Sequence, residues 1–168
     1  HIKSAMDWSP DGRVLLYRDA DPVGGFDIWA FPLDSRKPFP VVQTKFQERD
    51  AQFSPDGKWM AFQSDETGRF EVYVQAFPGR GPKWPISTGG GAQVRWRRDG
   101  KELFYIGLDR RLMAVPIELR SSAGAPPDIG RAVPLFPTHI GEPVPALNRQ
   151  QYVVSADGQR FLMNTVSE

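Results

Sequence analysis

Short apolar stretches separated by polar turns recur along the whole chain, and their spacing predicts strands. The clearest stretch places Phe70, Val72 and Val74 on one side, with more polar residues between them. This period of two is the pattern of a half-buried β-strand. Similar short runs at residues 51–53 and 59–62 flank an Asp-Gly pair, which predicts a β-hairpin. Pro and Gly, 16 residues each, further disfavour long helices.

The Asp-Gly pair belongs to an internal repeat. The four copies are Asp11-Gly12-Arg13, Asp56-Gly57-Lys58, Asp99-Gly100-Lys101 and Asp157-Gly158-Gln159. Three positions before each Asp stand Trp8, Phe53, Trp96 and Val154, and six positions after it stand Tyr17, Phe62, Tyr105 and Met163. Four short strands in about 43 to 45 residues are typical of a β-propeller blade. An ordinary β-sandwich would explain the strands but not the equivalent flanking residues.

The predicted fold is therefore all-β, a partial β-propeller over residues 1–168. The spacing predicts about three and a half four-stranded antiparallel blades, at 5–46, 47–90 and 91–138 with a half-blade at 150–166. Closed propellers have about four to eight blades, so this ring is incomplete. Two explanations remain open: a C-terminal portion of a longer propeller, or two copies that complete a ring of about seven blades. Both predict a homo-oligomer that self-associates through open blade edges.

Two segments between the predicted strands differ in character. Residues 120–128 are small, polar and Pro-rich, which predicts an exposed loop before the last strand of the third blade. Residues 139–146 are too apolar for a simple spacer, so we expect them to pack across an edge or the axis of the fold.

The second repeat carries a family resemblance. The run from Phe53 to Phe62, with its Ser-Pro-Asp-Gly-Lys core, resembles the WD-like repeat of TolB-like propellers. Residues 94–105 resemble the C-terminal part of bacterial propellers that follow a sensor or kinase domain. The resemblance implies a propeller in a bacterial envelope or signalling protein, in the periplasm or the cytoplasm. It implies no catalytic residue, because the repeat is a packing motif.

Charge and composition exclude several classes of function. The 21 Lys and Arg residues nearly balance the 20 Asp and Glu residues, for a net charge of +1. This balance gives no electrostatic case for nucleic acid or for an anionic membrane surface. No apolar run approaches the roughly 20 residues that a membrane-spanning helix needs. The chain has no cysteine, which excludes disulfides and thiolate metal sites.

Candidate catalytic residues are few. His139 is the single internal histidine, so a Ser-His-Asp triad would depend on it alone, and a His-rich metal site is excluded. The residues to consider as paired carboxylates for glycoside chemistry are Glu48, Asp50, Asp65 and Glu66. All four fall at predicted loops, where charge is ordinary. We therefore predict no catalytic residue, no cofactor and no metal.

The preferred function is a non-enzymatic scaffold for protein–protein recognition. The candidate contact residues are Trp59, Trp84, Arg97, Arg98, Arg110 and Arg111. The two tryptophans are less constrained by the repeat and are expected to be partly exposed, and Trp is common at interfaces. The arginines make the third repeat locally basic. Two alternatives stay open: the propeller portion of an enzyme, such as a peptidase-type gate or a polysaccharide lyase, and a propeller that binds a small molecule or sugar.

Overall fold

The structure is a computed structural model that describes residues 2–21, 25–79, 81–120, 125–144 and 150–166. Every regular element in these ranges is a β-strand, as predicted. None of the described segments forms a helix long and apolar enough to cross a bilayer.

The strands form three antiparallel sheets and a hairpin. The first sheet contains β1 (Lys3–Trp8), β2 (Val14–Asp21), β3 (Gly25–Pro32) and β4 (Phe39–Val42), in that order. The second sheet contains β5 (Glu48–Phe53), β6 (Trp59–Ser64), β7 (Glu71–Ala76) and β8 (Lys83–Pro85), again in chain order. The third sheet begins with β9 (Ala92–Trp96), β10 (Glu102–Ile106) and β11 (Arg111–Glu118), and the terminal hairpin joins β14 (Tyr152–Val154) to β15 (Phe161–Met163).

The outer edge of the third sheet is divided between two short strands. β13 (Val133–Pro137) pairs with the first half of β11, and β12 (Asp128–Ile129) pairs with its last two residues. The sequence predicted β13 as the fourth strand, and the structure confirms it. The sequence missed β12, because two residues at the end of a Pro-rich segment carry no period. Residues 121–124 of that predicted loop lie outside the described residues.

The Asp-Gly turns share one hydrogen-bonding pattern. In the second sheet Ser54 Oγ donates to Asp56 Oδ1 (2.6 Å) and accepts from the backbone N–H of Trp59 (2.9 Å). Gly57 adopts a φ of +71°, in the left-handed region that favours glycine. The same serine bonds recur at Ser9 and Ser155. The turn is therefore a self-contained unit that the chain repeats.

The third turn reaches the same geometry with different side chains. Arg97 stands where the other turns have serine, and its guanidinium donates two hydrogen bonds to Asp99, at 2.7 and 2.8 Å. The backbone N–H of Gly100 donates to Arg97 O, as the equivalent glycines do in the other turns. The ion pair replaces the serine hydroxyl, so this departure from the repeat leaves the hairpin unchanged.

Three apolar cores lie between successive sheets. The first joins Leu16 and Ile28 of the first sheet to Phe62 of the second, among other residues. The second lies between the second and third sheets, and the third between the third sheet and the terminal hairpin. The third core also contains the fully buried Ile140, so the apolar segment that begins at His139 contributes to a core. Residues 145 and 146 of that segment lie outside the described residues.

Candidate functional site

The first sheet has an apolar face that takes no part in the three cores. Because side chains alternate along a strand, Leu16 enters the first core and its neighbours Leu15 and Tyr17 point to the opposite side. There Tyr17 stacks on Trp29, with ring centroids 6.5 Å apart, and is itself buried, whereas Trp8 is 47% exposed and Leu15 and Trp29 are half-buried. We call Trp8, Leu15, Tyr17 and Trp29 the leading face.

The equivalent residues of the other two sheets are covered. They are Phe53, Met60, Phe62 and Tyr73 in the second sheet, and Trp96, Leu103, Tyr105 and Met113 in the third. Each of the two sets packs against the preceding sheet in the first or second core. Phe53 and Trp96 are only 4% and 7% exposed, against 47% for Trp8. The leading face therefore has the composition of an internal interface without a described sheet to cover it.

Hydrogen bonds between the innermost strands reinforce the covered interfaces. Asp7 Oδ2 accepts from the backbone N–H of Phe53 (2.7 Å), and Gln52 Oε1 accepts from that of Trp96 (3.2 Å). The indole N–H of Trp96 also donates to Gln52 O (3.3 Å). In both interfaces the side chain four positions before one turn aspartate accepts a hydrogen bond from the residue three positions before the turn aspartate of the next sheet. This contact links each sheet to the sheet that follows it.

The turns of successive sheets also touch. The ring of Pro10 lies beside Gly57 of the next turn, where a Cβ would be 3.4 Å from Pro10 Cδ. Pro55 lies beside Gly100 in the same way. At the first turn, the one atom within 4 Å of an added Cβ on Gly12 is Trp8 Nε1, from the same sheet. The turns of successive sheets thus form a row in which a proline lies beside the glycine of the next turn. Gly12, in the first turn, has no described proline beside it.

The terminal hairpin also has an uncovered face, on the side that points away from the third sheet. Tyr152, Phe161 and Met163 pack towards the third sheet, so Val153 and Leu162 point away from it. Val153 is 54% exposed and Leu162 is 76% exposed. The residues equivalent to Leu162 are Leu16, Ala61 and Phe104, and all three are buried in the cores. We call Val153 and Leu162 the trailing face.

The two predicted tryptophan contacts behave differently. Trp59 is 3% exposed, so the expectation that it is partly exposed is wrong. It lies on the second strand of the middle sheet and packs against Trp84, with ring centroids 5.4 Å apart. Trp84 is half-buried on the edge strand β8. The sequence could not separate the two, because both stand in apolar strands outside the strict repeat.

The four predicted arginine contacts do not form one patch. Arg97 and Arg98 lie at the turn before β10. At the opposite end of that strand, Arg110 lies in the following turn and Arg111 begins β11. Arg97 pairs with Asp99 and Glu102, Arg110 with Glu142, and Arg111 with Asp109. Arg98 is exposed. Most of the local positive charge is therefore balanced within the third sheet and the segment after it.

A buried charged group lies at the innermost strands. Asp50 sits at a bulge of β5 with a φ of +52°, and its side chain is nearly fully buried. Burial raises the pKa of the Asp50 carboxyl, while the charges of Arg95, Arg49 and Arg18 act in the opposite direction. The Arg49 guanidinium also lies 4.6 Å from the Phe26 ring centroid. The sequence pointed to Asp50 only as a possible paired carboxylate, because a bulge with a positive φ at an aspartate has no local sequence pattern.

Two of the four carboxylates considered for glycoside chemistry, Glu48 and Asp50, lie on β5 and not in loops as expected. Glu48, Asp65 and Glu66 have separate structural partners. Glu48 is fully buried, and its Oε1 accepts from Thr44 Oγ1 (2.7 Å) and Ser64 Oγ (3.2 Å). Burial raises the pKa of Glu48 to about 7. Asp65 accepts from a backbone N–H, and Glu66 pairs with Lys83. Within the described ranges, no group of three His, Asp or Glu side chains is placed to hold a metal ion.

A groove of about 840 Å³ separates the turn of the second sheet from the outer part of the third. Pro55, Ile117 and Leu119 supply its apolar lining, and carboxylates including Glu118 and Asp128 stand around it. Its size is within the range of ligand pockets, roughly 300–1,000 Å³.

Comparison with known proteins supports the fold. No family model matches the chain. TolB from Acinetobacter baumannii aligns with 92% of the chain and 35% of its own length, at 21% identity and a TM-score of 0.64. The periplasmic gluconolactonase PpgL of Pseudomonas aeruginosa aligns with 92% of the chain and 47% of its own length, at 17% identity and a TM-score of 0.54. The chain is thus an incomplete β-propeller whose structural neighbours are TolB-like propellers.

One curated relative is similar in sequence over a shorter stretch. The uncharacterized protein Atu1656 of Agrobacterium fabrum is 33% identical over 67 residues, which is 39% of this chain and 22% of that protein. The chain therefore spans about a fifth of this relative, and between a third and a half of the two propellers above. Membership of the Ser-Pro-Asp-Gly-Lys repeat family stays a prediction.

Proposed function

We propose that the chain is a non-enzymatic propeller scaffold that recognises protein surfaces through the leading and trailing faces of its end sheets. The observation that carries this proposal is the exposure of Trp8, at a position where Phe53 and Trp96 are buried against a neighbouring sheet. Exposed apolar surface of this kind marks association sites in soluble proteins. A place in a bacterial envelope or signalling protein, as the TolB resemblance implies, is part of the same proposal.

The chemistry of the two faces supports a protein as the partner. The leading face offers two tryptophans and a tyrosine, side chains that commonly anchor protein interfaces. The trailing face offers the exposed side chains of Val153 and Leu162. Neither face contains the convergent polar groups that fix a small ligand. Their best complement is another apolar sheet.

Light scattering across micromolar to millimolar protein tests the proposal. We expect the mean mass to rise with concentration, and Trp8→Ser to reduce that rise. Leu108→Ser is the matched control, because Leu108 is also exposed but belongs to the turn after β10. A sharp monomer at every concentration would contradict the proposal.

A further inference from the structure

We propose that the surface which covers the leading face is the trailing face of a second copy of this chain, and that two copies join head to tail in both directions. This inference rests on the proposed function and adds the identity and orientation of the partner. In this arrangement the terminal hairpin of each copy lies against the first sheet of the other.

The first argument is that the two uncovered faces are the two halves of one repeating interface. In the first core, Leu16 packs in one cluster with Phe53 and Phe62. Leu162 is the equivalent of Leu16, and Trp8 and Tyr17 are the equivalents of Phe53 and Phe62. The first core is therefore an internal instance of the contact that a second copy would make. Both halves remain apolar although no described sheet covers them.

The second argument concerns the innermost strands. Asp7 reaches Phe53, and Gln52 reaches Trp96, each from four places before its turn Asp. Val153 occupies that place in the terminal hairpin. A hairpin seated on the first sheet would thus bring Val153 against Trp8 of the other copy. An aliphatic side chain suits an exposed indole, so this joint would be apolar where the internal ones are hydrogen-bonded.

The third argument concerns the row of turns. Pro10 and Pro55 each lie beside the glycine of the following turn. The equivalent of these prolines in the terminal hairpin is Ala156, which is exposed, and Gly12 is the glycine with no described neighbour from a preceding turn. Placing Ala156 beside Gly12 continues the row across the joint with a smaller side chain. One docking in the register of the repeat therefore accommodates all three positions.

The number of sheets also suits two copies. Each copy provides three sheets and a two-stranded hairpin, or about three and a half blades, so two copies provide about seven, within the four to eight blades typical of propellers. The chain covers 47% of the gluconolactonase chain, so two copies approach the length of that single-chain relative. A head-to-tail contact that returns to its start after two steps closes a ring and leaves neither face exposed.

The test uses three variants of the full chain in size-exclusion chromatography with light scattering. We expect the unaltered chain to approach twice its 18.9 kDa mass. Trp8→Glu and Leu162→Glu should each weaken the dimer by roughly a hundredfold or more, since each buries a carboxylate without a partner. Val133→Glu is the matched control, because Val133 is 49% exposed but lies on the outer edge of the third sheet. It should leave the dimer unchanged.

Mixing the two variants tests the orientation. The Trp8→Glu copy keeps its trailing face and the Leu162→Glu copy keeps its leading face, so a mixed pair retains one intact contact. We expect the mixture to associate at concentrations where each variant alone is a monomer. Far-ultraviolet circular dichroism verifies that both variants are folded.

Two results would overturn the inference and separate it from the proposed function. If the unaltered chain associates but Leu162→Glu still forms the same dimer, or if mixing restores nothing, the head-to-tail pair is wrong while the proposed function stands. If the unaltered chain is monomeric throughout, both fail.

Discussion

The first and second sheets have nearly the same pattern of side chains in different surroundings. Tyr17 and Phe62 occupy equivalent positions, as do Trp29 and Tyr73. In the second sheet these residues form half of a core. In the first sheet Tyr17 and Trp29 belong to none of the three cores, although Tyr17 is only 8% exposed because it stacks on Trp29. The repeat therefore specifies which side chains form an interface. Whether those side chains are covered depends on the presence of a preceding sheet. Two kinds of position test this comparison. At some, equivalent residues differ only in burial, and at others they also differ in residue type.

The largest difference is expected between covered and uncovered tryptophans. Trp96→Ala should lower the free energy of unfolding by about 3–5 kcal/mol, because it leaves a cavity in the second core. Trp8→Ala should cost about 1 kcal/mol in the monomer, because half of the side chain is already in water. Urea denaturation at low micromolar protein measures both. Equal losses would mean that the leading face is buried in the isolated chain.

The next difference is in how stability depends on pH, and it concerns the first residue of each sheet: Lys3 in the first and Glu48 in the second. Burial raises the pKa of Glu48 from 4.5 to about 7 in the folded state. The folded chain therefore binds the proton more tightly than the unfolded chain, so stability falls as pH rises from about 4.5 to about 7. The loss is on the order of 3 kcal/mol and is complete above pH 7.

Glu48→Gln should flatten that slope and make the protein more stable than the unaltered chain at pH 8. Chemical denaturation at several pH values measures it, with Glu118→Gln as an exposed control. A slope that survives in Glu48→Gln would assign the titration to another group. The equivalent position in the first sheet is Lys3, so this effect is specific to the second sheet.

The turn serines should show no difference between the sheets. Ser9 and Ser54 make the same bonds to the turn aspartate and to a backbone N–H. Ser9→Ala and Ser54→Ala should each cost about 1–2 kcal/mol, because each leaves the same groups unpaired. Thermal unfolding of the two variants side by side measures this. A much smaller loss at Ser9 would show that the turn depends on a preceding sheet.

The smallest effect is expected at the surface pair of the first sheet. Lys3 and Asp19 form an ion pair at the positions where the second sheet has the buried Glu48 and Ser64. Lys3→Gln should change stability by less than about 1 kcal/mol, and salt should reduce that change further, because exposed pairs are screened. Unfolding at 0.05 and 0.5 M salt compares the two conditions. A larger, salt-insensitive loss would place this pair in a buried interface.

Much of the fold followed from the sequence, because the relevant physics is local. The Asp-Gly turns and their flanking strands are determined within about ten residues, so a repeated pattern predicts a repeated hairpin. Even the third turn was predicted correctly, although Arg97 replaces serine there. β12 was missed, because its two residues are strand only through pairing with β11.

The candidate site was harder to predict, because exposure depends on neighbours that the local sequence does not encode. The repeat assigned Trp8 to the same role as Phe53 and Trp96, and its exposure follows from the absence of a described sheet in front of it. For the same reason Trp59 seemed a contact residue and is buried, since coverage of the middle sheet comes from both sides. The positive φ of Asp50 likewise arises at a bulge of β5, which has no sequence pattern here.

The turn pattern also bears on how the protein ages. Among aspartyl peptide bonds, Asp-Gly bonds are the most prone to rearrange, through attack of the glycine nitrogen on the aspartate carboxyl to give a cyclic imide and water. In all four turns the glycine N–H donates to the carbonyl three residues earlier, which holds the nitrogen away from that attack. At Asp11 and Asp157 the serine hydroxyl lowers the pKa of the carboxyl, and the ionised form is the less reactive one. The folded hairpins therefore disfavour this rearrangement at all four bonds, and unfolding would remove that restraint.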